Sequence, residues 1–247
     1  MPRSERLYFP DSYYPATAQT IVMNLFKKSE PAGISASCDT IRQQCRELRE
    51  AKTRRELGEG IARLVLAHSP ADIQRMKRNF ETKVQDLSPD YRDQLTKKIA
   101  EHLLGTFQRI RLAQQQGTFR TLHDPLLEEQ KKYWDMVAGQ CGEGEGFDVP
   151  ALRFLKYLLA GYCMLVLDEP GHPAGTPFPG GDRVEFTDGI YYCPVREKAS
   201  DVDAALCPFC PAGQTPAIGY LRPPITPSEP RKQEFIDNMY RYHNFNG

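Results

Sequence analysis

The chain lacks several features that would assign it to a familiar class. No apolar run is long enough to cross a membrane, because the most apolar segment, residues 151–167, contains Arg153 and Lys156. An excess of one charge is also missing: 32 basic residues balance 32 acidic ones, which excludes general nucleic-acid binding. No apolar signal segment follows Met1, and the seven cysteines show no disulfide-framework pattern. We therefore expect reduced thiols, a cytoplasmic location and no membrane association.

Helical periodicity dominates the chain before residue 168. Apolar residues recur at intervals of three and four, and several segments open with a capping residue followed by proline, as in Ser88-Pro89 and Asp124-Pro125. We expect helices after Pro15, from Cys38 to Leu48, after each of Thr53, Ser69, Ser88 and Asp124, over residues 151–167, and after Ser228.

A short hairpin is the only strand signal. The stretches 184–187 and 190–193 are rich in β-branched and aromatic residues, and Asp188-Gly189 between them suits a two-residue turn. This register pairs Phe186 with Tyr191 and brings Cys193 to the end of the second strand. The alternation of strands and helices that a doubly wound α/β fold requires is absent.

The cysteines of the C-terminal part predict a metal site. Cys207 and Cys210 are separated by two residues, the commonest half-site for zinc or iron–sulfur ligation, and Cys193 lies within reach as a third ligand. His172 is the expected fourth ligand, in the same proline-rich segment. A Cys3His set favours zinc, whereas an iron–sulfur cluster is the alternative, and Cys163 is the alternative fourth ligand although its apolar neighbours favour simple packing.

The stretches around these residues carry a resemblance. Segments 167–173, 175–181, 192–198 and 207–212, which include Asp168-Glu169-Pro170-Gly171-His172 and Cys207-Pro208-Phe209-Cys210, resemble an uncharacterised family of methanogenic archaea, domain of unknown function 2115. The resemblance implies a cytoplasmic protein of an anaerobe. It also implies that His172, Cys193, Cys207 and Cys210 lie in the family's most distinctive stretch, but it implies no reaction.

The expected fold is mainly α: a helical bundle with a metal-clamped loop and a small β-hairpin lid near the C-terminus. We expect a bundle at residues 1–167, a metal-binding loop and hairpin at residues 168–227, here called the lid, and a C-terminal helix at residues 228–247 that packs back on the bundle.

Two functions are compatible with such a site. In the first, four protein ligands close the site, and a structural metal orders a surface that binds an unknown protein or small molecule. In the second, the protein is a metalloenzyme or an iron–sulfur redox protein with a ligand position open to substrate. Nearby carboxylates could then act as acid or base: Asp168, Glu169, Glu185, Asp188 and Glu197.

Overall fold

The computed structural model describes residues 38–141, 150–178, 181–197 and 206–215. Within these ranges the fold is mainly helical, as predicted, with a small three-stranded sheet near the C-terminal end. The helices are α1 (Cys38–Arg49), α2 (Arg54–Val65), α3 (Pro70–Lys83), α4 (Pro89–Gln116), α5 (Glu129–Gln140) and α6 (Pro150–Gly161). The helices predicted after Pro15 and after Ser228 lie outside the described residues.

Helix starts follow the predicted caps at α2 and α3. The Glu56 amide donates to the Thr53 hydroxyl at 3.2 Å, which satisfies a free N–H group at the start of α2. At α3, the Asp72 carboxylate accepts from the Ser69 amide at 2.9 Å. These bonds fix both helix starts next to the turns that precede them.

The core of the bundle lies around α6. Leu155, Tyr157 and Leu158 of this helix are fully buried, as are Tyr133 and Trp134 of α5. The Tyr133 hydroxyl donates to the Tyr157 carbonyl at 2.6 Å, so the buried phenol has a partner. Among the described helices, none is both long and apolar enough to span a membrane.

The segment predicted as one helix over residues 151–167 changes character after Gly161. It continues as a π-helical turn, Tyr162–Val166, in which the Leu167 amide donates to the Tyr162 carbonyl at 3.1 Å. The guanidinium of Arg54 donates to the Val166 carbonyl at 3.5 Å, and this contact satisfies a carbonyl at the end of the turn. Apolar periodicity cannot distinguish an α turn from a π turn, so the sequence does not reveal this feature.

The start of α5 also differs from the prediction. The Asp124-Pro125 pair does not begin a helix; instead Pro125 forms an antiparallel bridge with Thr53, and the Leu126 amide donates to the Lys52 carbonyl at 3.0 Å. The backbone groups that a helix would use are therefore taken by the chain before α2. As a result, α5 begins at Glu129.

The hairpin is confirmed in its predicted register. Strand β1 (Glu185–Thr187) pairs antiparallel with β2 (Ile190–Cys193), and Phe186 lies opposite Tyr191. Asp188 and Gly189 both have positive φ angles, 51° and 77°, as the two-residue turn requires. A third strand, β3 (Gly213–Gln214), was not predicted; it pairs parallel with β2.

The described part of the lid packs in two places. Phe178, Val184, Cys193, Val195 and Ala212 form a small buried cluster of their own. Leu206 instead belongs to the main core of the bundle. The apolar side chains of the small cluster are scattered along the chain and come together only through the sheet.

Candidate metal centre

The cysteines of the predicted site come together beside the small sheet. Cys193 ends β2 and is the partner of Gln214 in β3. Cys207 and Cys210 lie at the two ends of a short 3-10 turn, in which the Cys210 amide donates to the Cys207 carbonyl at 3.1 Å. Cys210 packs against the small cluster that contains Cys193. The β2–β3 pairing therefore places Cys193 in the same neighbourhood as Cys210.

The electrostatics of the thiols agree with this proximity. Burial raises the pKa of Cys207 to about 12, with further contributions from the negative charges that Cys210 and Cys193 would carry as thiolates. Burial likewise raises the pKa of Cys193 to about 11, and a thiolate at Cys210 adds to the effect. Since these two thiols are protonated at neutral pH in the metal-free protein, metal binding there would release protons.

Two features near Cys193 lower the pKa of its thiol. A backbone hydrogen bond from Val195 to the sulfur lowers the pKa of Cys193, as does the nearby Arg196 guanidinium. Arg196 is held in place by donation from Nε to the Ala212 carbonyl at 3.1 Å. The amide and the cation would both stabilise a thiolate once a metal had displaced its proton.

His172 lies in a different neighbourhood. Its ring centroid is 6.0 Å from that of Phe178, in an edge-on arrangement, and Phe178 packs in the cluster that contains Cys193. A charge on His172 also lowers the pKa of His102 on α4, so the two imidazoles are neighbours. Within the ranges that the structure describes, no group of three or more His, Cys, Asp or Glu side chains has a geometry that could hold a metal ion.

The carboxylates considered for acid–base chemistry are dispersed. Glu169 makes a bidentate ion pair with Arg109 of α4, both bonds being 2.7 Å long. Asp188 sits in the hairpin turn, and Glu185 and Glu197 are exposed. Asp168 has a φ angle of 59°, an uncommon conformation for a residue other than glycine. Of these carboxylates, Glu169 already has both oxygens hydrogen-bonded to Arg109.

A second group of polar side chains lies where the π-helical turn meets α4. The buried Cys163 thiol is 3.6 Å from the Thr106 hydroxyl and 4.0 Å from Nε2 of His102. The Arg109–Glu169 pair adjoins this group, because the Glu169 amide donates to the Cys163 carbonyl at 2.8 Å. Sequence reasoning missed the group. The available signal was that His102, Thr106 and Arg109 share one face of α4 through their spacing of four and three.

Several proteins of methanogenic archaea are similar to this chain. The UPF0305 protein of Methanopyrus kandleri is 37% identical over 95 residues, covering 38% of this chain and 66% of that protein. A UPF0305 protein of Methanothermobacter thermautotrophicus is 56% identical over 55 residues, covering 22% of this chain and 36% of that protein. The UPF0305 protein of Methanocaldococcus jannaschii is 26% identical over 159 residues, covering 63% of this chain and 93% of that protein.

The first two relatives are therefore matched over less than two thirds of their own length. No solved structure matches the chain. A family model does match, over residues 53–215, a range that contains the three clustered thiols and His172. The chain belongs to the family described as an uncharacterized protein conserved in archaea, domain of unknown function 2115, as the resemblance of its motifs predicted.

Proposed function

We propose that this protein binds zinc through Cys193, Cys207, Cys210 and His172. The observation that carries the proposal is that Cys193, at the end of a strand, has Cys210 packed against its cluster and acts electrostatically on Cys207. Three thiolates are a typical donor set for zinc, and an imidazole would complete the tetrahedron. The amide of Val195 and the guanidinium of Arg196 support the proposal, because both favour the thiolate form of Cys193.

The proposed role of the ion is structural. Phe209, between the two cysteines of the half-site, packs edge-on against Tyr133 of α5 with ring centroids 5.2 Å apart. An ion bound at Cys207 and Cys210 would thus connect the sheet to the bundle and order the surface around it. That surface would bind a protein or a small molecule. A reducing cytoplasm is the compartment that this function requires, because the thiols must stay free for the metal.

Metal analysis of protein purified without air tests the proposal. We expect about one zinc ion per chain in the parent protein and nearly none in Cys207→Ser. Cys38→Ser is the matched control, since Cys38 is also partly exposed but lies on α1. Parent protein without zinc, or equal zinc loss in both variants, would contradict the proposal. A brown protein that contains iron and sulfide would instead indicate an iron–sulfur cluster and favour a redox function.

The fourth ligand is tested separately by cobalt substitution. The intensity of sulfur-to-cobalt charge-transfer bands increases with the number of thiolates. We expect His172→Ala to alter the visible spectrum and weaken metal binding, and Cys163→Ser to leave both unchanged, because Cys163 is fully buried beside Thr106. The reverse pattern would assign the fourth position to Cys163. A change in neither variant would mean that the ion takes its fourth ligand from elsewhere.

We also propose that the described part of the lid depends on the ion more than the bundle does. The small cluster around Phe178 contains few apolar side chains, whereas the bundle has its own extensive core. In Cys207→Ser, limited proteolysis should cut first within residues 168–227. Cleavage spread evenly through the helices would show that the lid is not a separable unit.

A further inference from the structure

Lys98 occupies an unusual position on the long helix α4. It is partly buried, and its ammonium group lies against the loop at Gly175: a Cβ atom at Gly175 would be 3.4 Å from Lys98 Nζ. In the part of the chain that the structure describes, Lys98 makes no hydrogen bond or ion pair with a carboxylate. Taking a lysine partly out of water without a counter-charge costs free energy, so the position calls for an explanation.

The charged groups that act on His102, the neighbour of Lys98 on α4, are cationic. His102 is next to Lys98 on the same face of α4, one turn along. Burial lowers the pKa of His102 to about 4, and the charges of His172, Arg109 and Lys98 lower it further. The thiol of Cys163 is neutral at pH 7, since burial raises its pKa to about 11. Among the described residues, the charges that shift the pKa of His102 are all positive.

The Glu169 carboxylate, which adjoins the group of Cys163, Thr106 and His102, is already neutralised. Both oxygens of Glu169 accept hydrogen bonds from the Arg109 guanidinium. This pair therefore carries no net charge, and within the described ranges it offers no carboxylate to Lys98. The same loop leaves room beside the ammonium because Gly175, with a φ angle of 83°, has no side chain there.

We propose that Lys98 and His102 of α4, together with the loop at Gly175, form a binding site for a small oxyanion of the phosphoryl class. The ammonium group supplies the charge and the imidazole donates an N–H group from the neighbouring turn. A dianion such as phosphate compensates more positive charge than a carboxylate does. Both side chains keep some exposure to solvent. Neither residue is a ligand in the proposed zinc site, although His102 is a neighbour of His172.

Calorimetric titration of the full chain with inorganic phosphate tests this site. We expect saturable binding that weakens about ten-fold or more in Lys98→Gln, since a hydrogen bond to a charged group is lost. Lys97→Gln is the matched control, because Lys97 is adjacent in sequence, equal in charge and exposed. Its affinity should stay within about two-fold of the parent's, as a surface charge contributes little. Equal weakening in both variants would show that the effect comes from the overall charge of the protein, and it would overturn the proposal.

Thermal unfolding gives a second measurement, which does not depend on a detectable heat of phosphate binding. Without phosphate, Lys98→Gln should melt at the same or a higher temperature than the parent, because an uncompensated cation has been removed. Phosphate should raise the melting temperature of the parent and of Lys97→Gln but not that of Lys98→Gln. If acetate or chloride at equal ionic strength acts as strongly as phosphate, or if phosphate acts on none of these proteins, the phosphoryl site is excluded.

Discussion

Burial and a nearby carboxylate have opposite effects on His68. Its side chain is only 7% exposed, and Nδ1 lies 3.8 Å from the Asp72 carboxylate at the start of α3. Burial lowers the pKa of His68 below its usual 6.5, while Asp72 acts to raise it. The net shift is downward because removing the imidazolium from water costs more than the nearby carboxylate returns.

This shift predicts a pH-dependent contribution to stability. The unfolded chain binds a proton at His68 near pH 6.5, whereas the folded protein binds it only at lower pH. Stability should therefore fall as the pH decreases through and below that value. Urea unfolding at about pH 7.5 and about pH 5.5 measures the loss, which should be smaller in His68→Gln. Replacement of the exposed His123 by Gln is the control; an equal change in both variants would mean that His68 does not contribute.

Local sequence signals predicted the surroundings of single residues only where partners are close in the chain. The Thr53 cap and the positive φ of Asp188 follow from residues nearby, and both were expected. The Arg109–Glu169 pair joins residues 60 positions apart, so no local pattern could indicate it. The contact between His102 and Cys163, which are 61 positions apart, was missed for the same reason.

Among the secondary-structure elements, α2 approaches its neighbours closely at Gly58. A Cβ atom there would lie 2.7 Å from Cδ1 of Phe119, a ring that is 2% exposed and packs edge-on against Tyr162. Since the ring is enclosed, it has little freedom to move away. Gly58 thus permits α2 to pack against the 3-10 turn that follows α4.

Two glycine-to-alanine replacements separate this packing effect from helix propensity. Gly139→Ala in α5 should stabilise the protein by about 0.5–1 kcal/mol, because nothing lies within 4 Å of the new methyl group. Gly58→Ala gains the same propensity but must displace Phe119, so we expect net destabilisation of about 1–3 kcal/mol. Chemical denaturation of both variants measures the difference. A Gly58→Ala protein as stable as Gly139→Ala would show that the ring moves easily.

The order of the described elements was largely predictable, and their ends less so. Amphipathic spacing gave the helices, and the hairpin followed from Asp188-Gly189 between two strand-like stretches. The π-helical turn and the late start of α5 depend on contacts with Arg54 and with the segment around Thr53. Strand β3 is only Gly213–Gln214, too short to show a periodic pattern.

For the whole molecule, α6 is central to the core. Leu155 is fully buried among residues of the main cluster. We expect Leu155→Asp to abolish cooperative folding, because an unpaired buried carboxylate costs several kcal/mol, a large part of the roughly 5–15 kcal/mol that stabilises a domain. Leu127→Asp is the control, since Leu127 is 74% exposed, and its melting temperature should change little. A cooperative, unshifted melting curve for Leu155→Asp would contradict this assignment.

The polar contacts between α4 and the segments that follow α6 join distant parts of the chain. The Tyr91 hydroxyl donates to the Pro177 carbonyl across 86 positions, and Arg183 donates to Gln94 across 89. Contacts of such long range form slowly, because the intervening chain must first lose its conformational freedom. During synthesis, this face of α4 therefore emerges well before its covering loop. We therefore expect docking of the loop to be a late step of folding, which would leave the cationic groups of Lys98 and Arg109 facing solvent until then.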